Sequence, residues 1–224
     1  MENKIILIDK PSGWTSFDVV AKIRGIRRAA FKAQGVQPTK RQLKVGHAGT
    51  LDPFATGLLV ILTGDSTKRA DEFLKLDKVY EATITLGKTS TTGDPEGELT
   101  DVNTTQPTRE EIERTLEQFR GEITQRPPIF SAIKINGQRA YKLARAGKEV
   151  EIPERKVAIR SLEIIDYSYP EFKIRTHVAS GTYIRSLAVD IGEVLGTGAY
   201  CSELRRTSIS NWRIEDAVEI NKLL

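Results

Sequence analysis

Hydrophobic and polar positions along the chain fall into two periods. Residues 80–86 set Tyr80, Ala82, Ile84 and Leu86 against polar neighbours, the two-residue period of a half-buried strand, and Phe172, Ile174, Thr176 and Val178 repeat it. Residues 4–9 (KIILID) read as a further strand. The helical period marks residues 108–119, where Pro107 precedes a Thr108/Glu111 capping box and Ile112, Leu116 and Phe119 share one face. A second helix is predicted over about 183–195, with Ile184, Leu187, Ile191 and Val194 as its buried stripe ahead of Gly196. Between the two lies 126–154, rich in Pro, Gly and basic side chains, which reads as a surface arm with one short helix near 140–146. No repeat, low-complexity tract or clear linker divides the chain. The pattern predicts an α+β fold around a mixed, mostly antiparallel sheet, in one domain spanning 1–224 with an embellishing arm.

Composition narrows the class. With 224 residues, 39% hydrophobic and 29% charged, the chain can bury a sizeable core and is too apolar for disorder. One cysteine, Cys201, excludes an internal disulfide, and with only His47 and His177 a cysteine and histidine zinc cage is hard to build, so no metal is expected. The longest purely apolar stretch, 58–62, is far short of the roughly 20 residues that cross a bilayer. A cytoplasmic, non-membrane protein is expected, and a monomer, since no heptad pattern calls for a partner.

Charge is more informative in its distribution than in its sum. The net charge is +4 and the sequence pI about 9.1, yet residues 19–51 carry eight basic side chains and no acidic one. Residues 126–160 hold nine basic against three acidic, whereas 91–122 hold nine acidic against three arginines. Such polarisation suits a protein that grips phosphates with one face and leaves another solvated.

Candidate chemistry centres on residues 46–59, GHAGTLDPFATGLL, a turn-rich loop with three glycines, one histidine and one aspartate that leads into the apolar run 58–62. Taken alone, Asp52 before Pro53 is a turn former and His47 a structural hydrogen bonder. This segment resembles the signature loop of the tRNA pseudouridine synthases of the TruB family, GHxGxLDPxAxG. Residues 10–16 (KPSGWTS), 78–82 (KVYEA), 126–146 (RPPIFSAIKINGQRAYKLARA), 181–187 (GTYIRSL) and 204–206 (LRR) match further family motifs in the family's order, so the resemblance spans nearly the whole chain.

The resemblance implies the pseudouridine synthase fold with an RNA-gripping arm, and an isomerisation without cofactor or metal. The bond between uracil N1 and ribose C1′ breaks, and the base is rejoined through C5. It assigns Asp52 as the essential carboxylate, whether it adds to C1′, adds to C6 or takes the C2′ proton. His47 then fills the space beside the flipped nucleotide, Tyr80 stacks on the flipped uracil, Arg185 pairs with the aspartate and Leu204 lines the uracil pocket. Asp94, in the turn TTGDPEG, and Tyr183 join the substrate-binding set. The implied partner is the T stem-loop of tRNA, with the target at standard position 55 and the arm clamping over the stem. Flipping a base costs roughly a few kcal/mol, and stacking on an aromatic returns about 1–3 kcal/mol.

Two departures from the family pattern matter. Many members continue into a small carboxy-terminal RNA-binding domain of the PUA type, whereas this chain stops at Leu224, so weaker or more salt-sensitive tRNA binding is expected. The stretch 27–44 is longer and more basic than is usual, which suggests added phosphate contacts at Lys40, Arg41 and Lys44. The alternatives are a guide-RNA-dependent pseudouridylase of the dyskerin class and a non-catalytic tRNA-binding or folding protein. Intact Asp52, Tyr80 and Arg185 argue against the second.

Overall fold

The computed structural model describes residues 3–103, 105–131, 133–135, 137–147 and 151–223. The chain runs β1 (Ile5–Lys10), α1 (Ser16–Ala33), β2 (Val45–His47), β3 (Thr56–Thr63), α2 (Ala70–Leu74), β4 (Lys78–Leu86), β5 (Lys88–Ser90), β6 (Leu99–Asp101), α3 (Arg109–Glu117) and β7 (Gly121–Gln125). It continues with β8 (Lys134–Ile135), β9 (Gln138–Arg139), α4 (Ala140–Arg145), β10 (Arg155–Ser168), β11 (Glu171–Val178), α5 (Ile184–Val194), β12 (Ala199–Ile209), β13 (Trp212–Arg213) and β14 (Val218–Glu219). These elements form two compact units, Met1–Tyr80 with Arg205–Leu224, and Glu81–Leu204.

In the first unit the strand order is β14-β1-β3-β12, with β2 on β3 and β13 on β12. β1 and β3 are antiparallel, with Ile5 opposite Leu62 and Lys10 opposite Gly57, whereas β12 runs parallel to β3 with Arg206 opposite Gly57. Ala48, Leu58, Val60, Leu62, Phe73 and Ile209 form the buried core, flanked by Ile5, Leu7 and Trp212. The helix α1 closes this unit, and the sequence pattern did not predict it. Its start is well specified: Thr15 Oγ1 accepts from Asp18 N at 3.1 Å, and Thr15 N donates to Asp18 Oδ2 at 2.8 Å. Its buried face is Val19, Val20, Ile23 and Phe31, but it also includes Arg27. A charged side chain at a core-facing position hides the helical period. Arg27 is tolerated there because its guanidinium donates to Gln42 O at 2.8 and 3.2 Å.

The second unit has the order β12-β4-β11-β10-β7, with β10 antiparallel to both β11 and β7. The alternation over 172–178 holds, with Phe172, Ile174, Thr176 and Val178 all buried. In β4 the predicted apolar set is buried, but so are Thr83 and Thr85. Their hydroxyls are satisfied across the strand, Thr83 on Glu203 at 2.9 Å and Thr85 on Ser202 at 2.8 Å, so the polar face is covered without penalty. α3 forms with the expected Thr108/Glu111 capping box, and buries Ile112 and Leu116. In α5 the buried stripe is Ile184, Leu187, Ala188 and Ile191, whereas Val194, in the last turn, is 51% exposed. In the arm, β8 and β9 pair as a short hairpin and α4 covers 140–145. Arm positions 132, 136 and 148–150 lie outside the described residues. The expected α+β class and mostly antiparallel mixed sheet are observed. Among the described residues no helix is long and apolar enough to cross a membrane.

Ile112 is fully buried where α3 meets the sheet side of the second unit. Ile112→Ala is expected to lower unfolding stability by about 2–5 kcal/mol, read as an earlier urea midpoint at unchanged slope.

Candidate active site

The loop between β2 and β3 is shaped by contacts to its main chain. Leu51 is bonded twice to Ser16 at the start of α1: its N–H donates to Ser16 Oγ at 2.9 Å and its carbonyl accepts from the same hydroxyl at 3.1 Å. Asp52 follows, half-buried, in a turn closed by Ala55 N donating to Asp52 O at 3.1 Å. The Pro53 carbonyl accepts from Gly13 N at 2.9 Å and from Lys10 Nζ at 3.2 Å, and the Phe54 carbonyl accepts from Ser12 Oγ at 3.1 Å. The KPSGWTS segment is therefore a brace for the Asp52 turn. Lys10 is fully buried, and its ammonium also donates to Trp14 O at 2.6 Å and Pro11 O at 2.9 Å.

Arg206 holds the loop from the other side. It is 1% exposed, and its guanidinium donates to Leu58 O at 2.8 Å, Gly49 O at 3.1 Å and Thr50 O at 3.5 Å, so one side chain ties both ends of the loop. The strand pairing that brings it there needs a glycine. Gly57 has φ +102°, and a Cβ on it would lie 2.3 Å from the Arg206 carbonyl oxygen. Lys78, also buried, donates to Leu74 O and Leu76 O. Desolvation and the neighbouring Arg206 charge push its ammonium down to about 8, against the opposing pull of Asp77.

The first unit also carries His47 and Tyr80. His47 ends β2 opposite Ile61 and is half-buried, while Tyr80 lies on β4 at 8% exposure.

The second unit carries the other four expected residues. Asp94 and Arg185 are brought together, with side chains each 3% exposed and Arg185 Nη1 2.9 Å from Asp94 Oδ2. Arg185 donates further to Thr92 O at 3.0 Å and Phe130 O at 2.8 Å. The second Asp94 oxygen accepts from Thr92 Oγ1 at 2.5 Å and Glu96 N at 3.0 Å, so this aspartate both forms its turn and seats the arginine. Tyr183, just before α5, is bracketed by the buried Gln125, which accepts from its N–H at 2.9 Å and donates to its carbonyl at 3.0 Å. The Arg155 guanidinium lies 5.0 Å from the Tyr183 ring centroid. Leu204, on β12, is 8% exposed. Beside Arg185 opens a cavity of about 640 Å³ lined in part by Gly93, Arg126, Phe130 and Asp190. Burial, with Glu193 and Glu154 nearby, raises the Asp190 carboxyl to about 6.

Sequence reasoning left Lys10, Ser16 and Arg206 without roles, although all three fall inside quoted motifs. Their partners are main-chain carbonyls and amides, which leave no trace in side-chain patterning. The available signal was a lysine and an arginine flanked by strand-forming residues.

The chain matches the model of the TruB family pseudouridylate synthase N-terminal domain over residues 36–184, and that of the tRNA pseudouridylate synthase B C-terminal domain over 185–224. It is 45% identical over 220 residues to a tRNA pseudouridine synthase B of Phocaeicola vulgatus, covering 98% of this chain and 91% of the relative. It is 42% identical over 221 residues to one of Flavobacterium johnsoniae, covering 98% and 94%. Among solved structures it is similar to a chain of a Cbf5-Nop10-Gar1 complex, with TM-score 0.71 and 30% identity, covering 97% of this chain. It spans about half of that solved chain, 52%.

Two measurements test the brace. Arg206→Met leaves three loop carbonyls without their donor and is expected to cost about 3 kcal/mol or more in urea unfolding, since each unsatisfied buried acceptor costs about 1–3 kcal/mol. Lys78 binds a proton less readily folded, at about 8, than at its ordinary 10.5, so the unfolded chain holds more protons between those values. Its contribution to stability therefore rises with pH from about 8 to 10.5. The difference in melting temperature between the wild-type chain and Lys78→Met should drift in the wild type's favour across that window.

Proposed function

The chain belongs to the TruB family of pseudouridylate synthases and isomerises uridine to pseudouridine in tRNA, and we propose that its target is the uridine at standard position 55 of the T-loop, with Asp52 as the reacting carboxylate. The observation that carries the assignment of Asp52 is its setting. Leu51, Pro53 and Phe54 on either side are bonded through their main chains to Lys10, Ser12, Gly13 and Ser16, and Asp52 stands half-buried between them. A carboxylate on so constrained a turn meets a flipped nucleotide in one geometry, the condition under which positioning lowers a barrier.

The chemistry balances within the substrate. The N1–C1′ bond breaks, the uracil turns in the site, a C5–C1′ bond forms, and the hydrogen at C5 leaves as a proton while N1 regains one. Neither oxidant nor cofactor enters. In this reading His47 occupies the gap left by the flipped base, Tyr80 stacks on the uracil and Leu204 lines its pocket. Arg185 joins the substrate-binding set, and Asp94 is the residue that seats it. Tyr183, held on both sides by Gln125, completes the substrate-binding set. The arm over 126–154, with its basic side chains, engages the T stem.

The likeness to the Cbf5 chain speaks for the shared catalytic fold. Similarity over 98% of this chain to bacterial enzymes named for tRNA favours a substrate recognised directly rather than through a guide.

The decisive assay is tritium release from an unmodified tRNA transcript labelled at uridine C5. The wild-type chain should release the label, and Asp52→Ala should lose release while still binding tRNA. Release confined to a transcript with an intact position 55 places the site; release from a transcript lacking that uridine would move it elsewhere.

A further inference from the structure

The basic stretch 19–51 resolves into two populations of cations. Some are engaged: Arg27 is buried on Gln42 O, Arg24 donates to Val45 O at 3.3 Å, and Arg41 forms an ion pair with Asp65, which Lys68 also approaches at 3.4 Å. Phosphate contact at Arg41, expected from the sequence, would have to break that pair. Lys22, Arg28 and Lys32 of α1 have no hydrogen-bond or ion-pair partner among the described residues, and Arg28 and Lys32 are exposed.

The helix sets these groups in order. At 3.6 residues per turn, Phe17, Arg24, Arg28 and Lys32 fall within an arc of roughly 80°, on the side away from Val19, Ile23 and Arg27, with Lys22 on the neighbouring flank. The last three cations of the stripe climb in steps of four residues, about 6 Å each. Phe17 is 62% exposed and lies under the Arg24 guanidinium, 6.0 Å from ring centroid to Cζ. The only acidic residue of α1 is Asp18, which is committed to the capping box. Beyond Asp18 the charged residues of this face are all cations, Arg24 on Val45 O and Lys22, Arg28 and Lys32 without partners among the described residues, and this net positive run repels basic partners and attracts a polyanion.

Its place relative to the chemistry is set by the two Ser16 bonds to Leu51, the residue before Asp52. α1 thus starts at the candidate catalytic turn and runs about 22 Å from Phe17 to Lys32. Asp52 is thus one residue from the contact that anchors the start of that ramp. We propose that the solvent face of α1, through Lys22, Arg28 and Lys32, is a docking surface for the sugar-phosphate backbone of the substrate tRNA beyond the target loop. This rests on the reading of tRNA as substrate and adds a contact independent of the arm.

The test is a salt titration of tRNA binding by the full chain against the triple variant Lys22→Gln, Arg28→Gln, Lys32→Gln, with both sets of measurements also made in the Asp52→Ala background so that binding is read without turnover. Each lost phosphate contact reduces the slope of log affinity against log salt by about 0.7–0.9. The triple variant should therefore show a slope shallower by about 2–3, a raised KM for tRNA and an unchanged kcat at saturation. The charge-preserving set Lys22→Arg, Arg28→Lys, Lys32→Arg should keep the wild-type slope. An unchanged slope in the neutralised variant would overturn the surface, as would a fall in kcat without a change of slope, or a loss in the charge-preserving set equal to that of the neutralised one. Failure of the wild-type chain to release tritium would count against the proposed reaction alone, because binding is measured separately.

Discussion

One buried guanidinium sets the shape of the candidate catalytic loop. Arg206 is out of water, and its hydrogen bonds end on three loop carbonyls rather than on a carboxylate. A buried cation compensated only by dipoles holds its site only while those dipoles point at it, so the loop and the arginine fix each other. The parallel pairing of β12 with β3 brings the arginine into place, and Gly57 is the opening through which the two backbones approach. Lys10 holds the loop from the opposite side, where the Pro11, Trp14 and Pro53 carbonyls accept from its ammonium. The Asp52 turn sits between two cations that are themselves immobilised.

The second unit organises its polar groups differently. There a carboxylate does the seating: Asp94 meets Arg185 with one oxygen and its own turn with the other. Gln125 clamps both main-chain groups of Tyr183 at the entry to α5. Buried charges of opposite sign that meet in a hydrogen-bonded pair specify one arrangement at the expense of net stability. That trade suits groups whose orientation matters more than their contribution to the core.

Much of this was legible in the chain itself. The strands with clean alternation and the capped helix α3 appear where their patterns put them, because burial on one face is the sole constraint acting there. β4 departs from its pattern because Thr83 and Thr85 find hydroxyl and carboxylate partners, which lets a polar face be buried. α1, the longest helix, escaped notice because Arg27 occupies a position that a periodic reading reserves for an apolar side chain. The candidate site shows the same division. Asp52, His47 and Tyr80 stand in motifs that a resemblance can transfer. The groups that hold the loop act on backbone atoms, and only the folded chain displays those partners.

The main-chain character of the brace has a consequence for how such a loop can change over time. Lys10, Ser12, Ser16 and Arg206 grip amides and carbonyls, atoms that every residue presents alike. The socket is indifferent to which side chains project from Thr50, Pro53 or Phe54 so long as the backbone path is kept. Scaffold and chemistry are therefore inherited separately. Substitutions at the projecting positions can retune what the loop touches without reopening the question of how it folds, and the glycine at 57 is where that freedom stops.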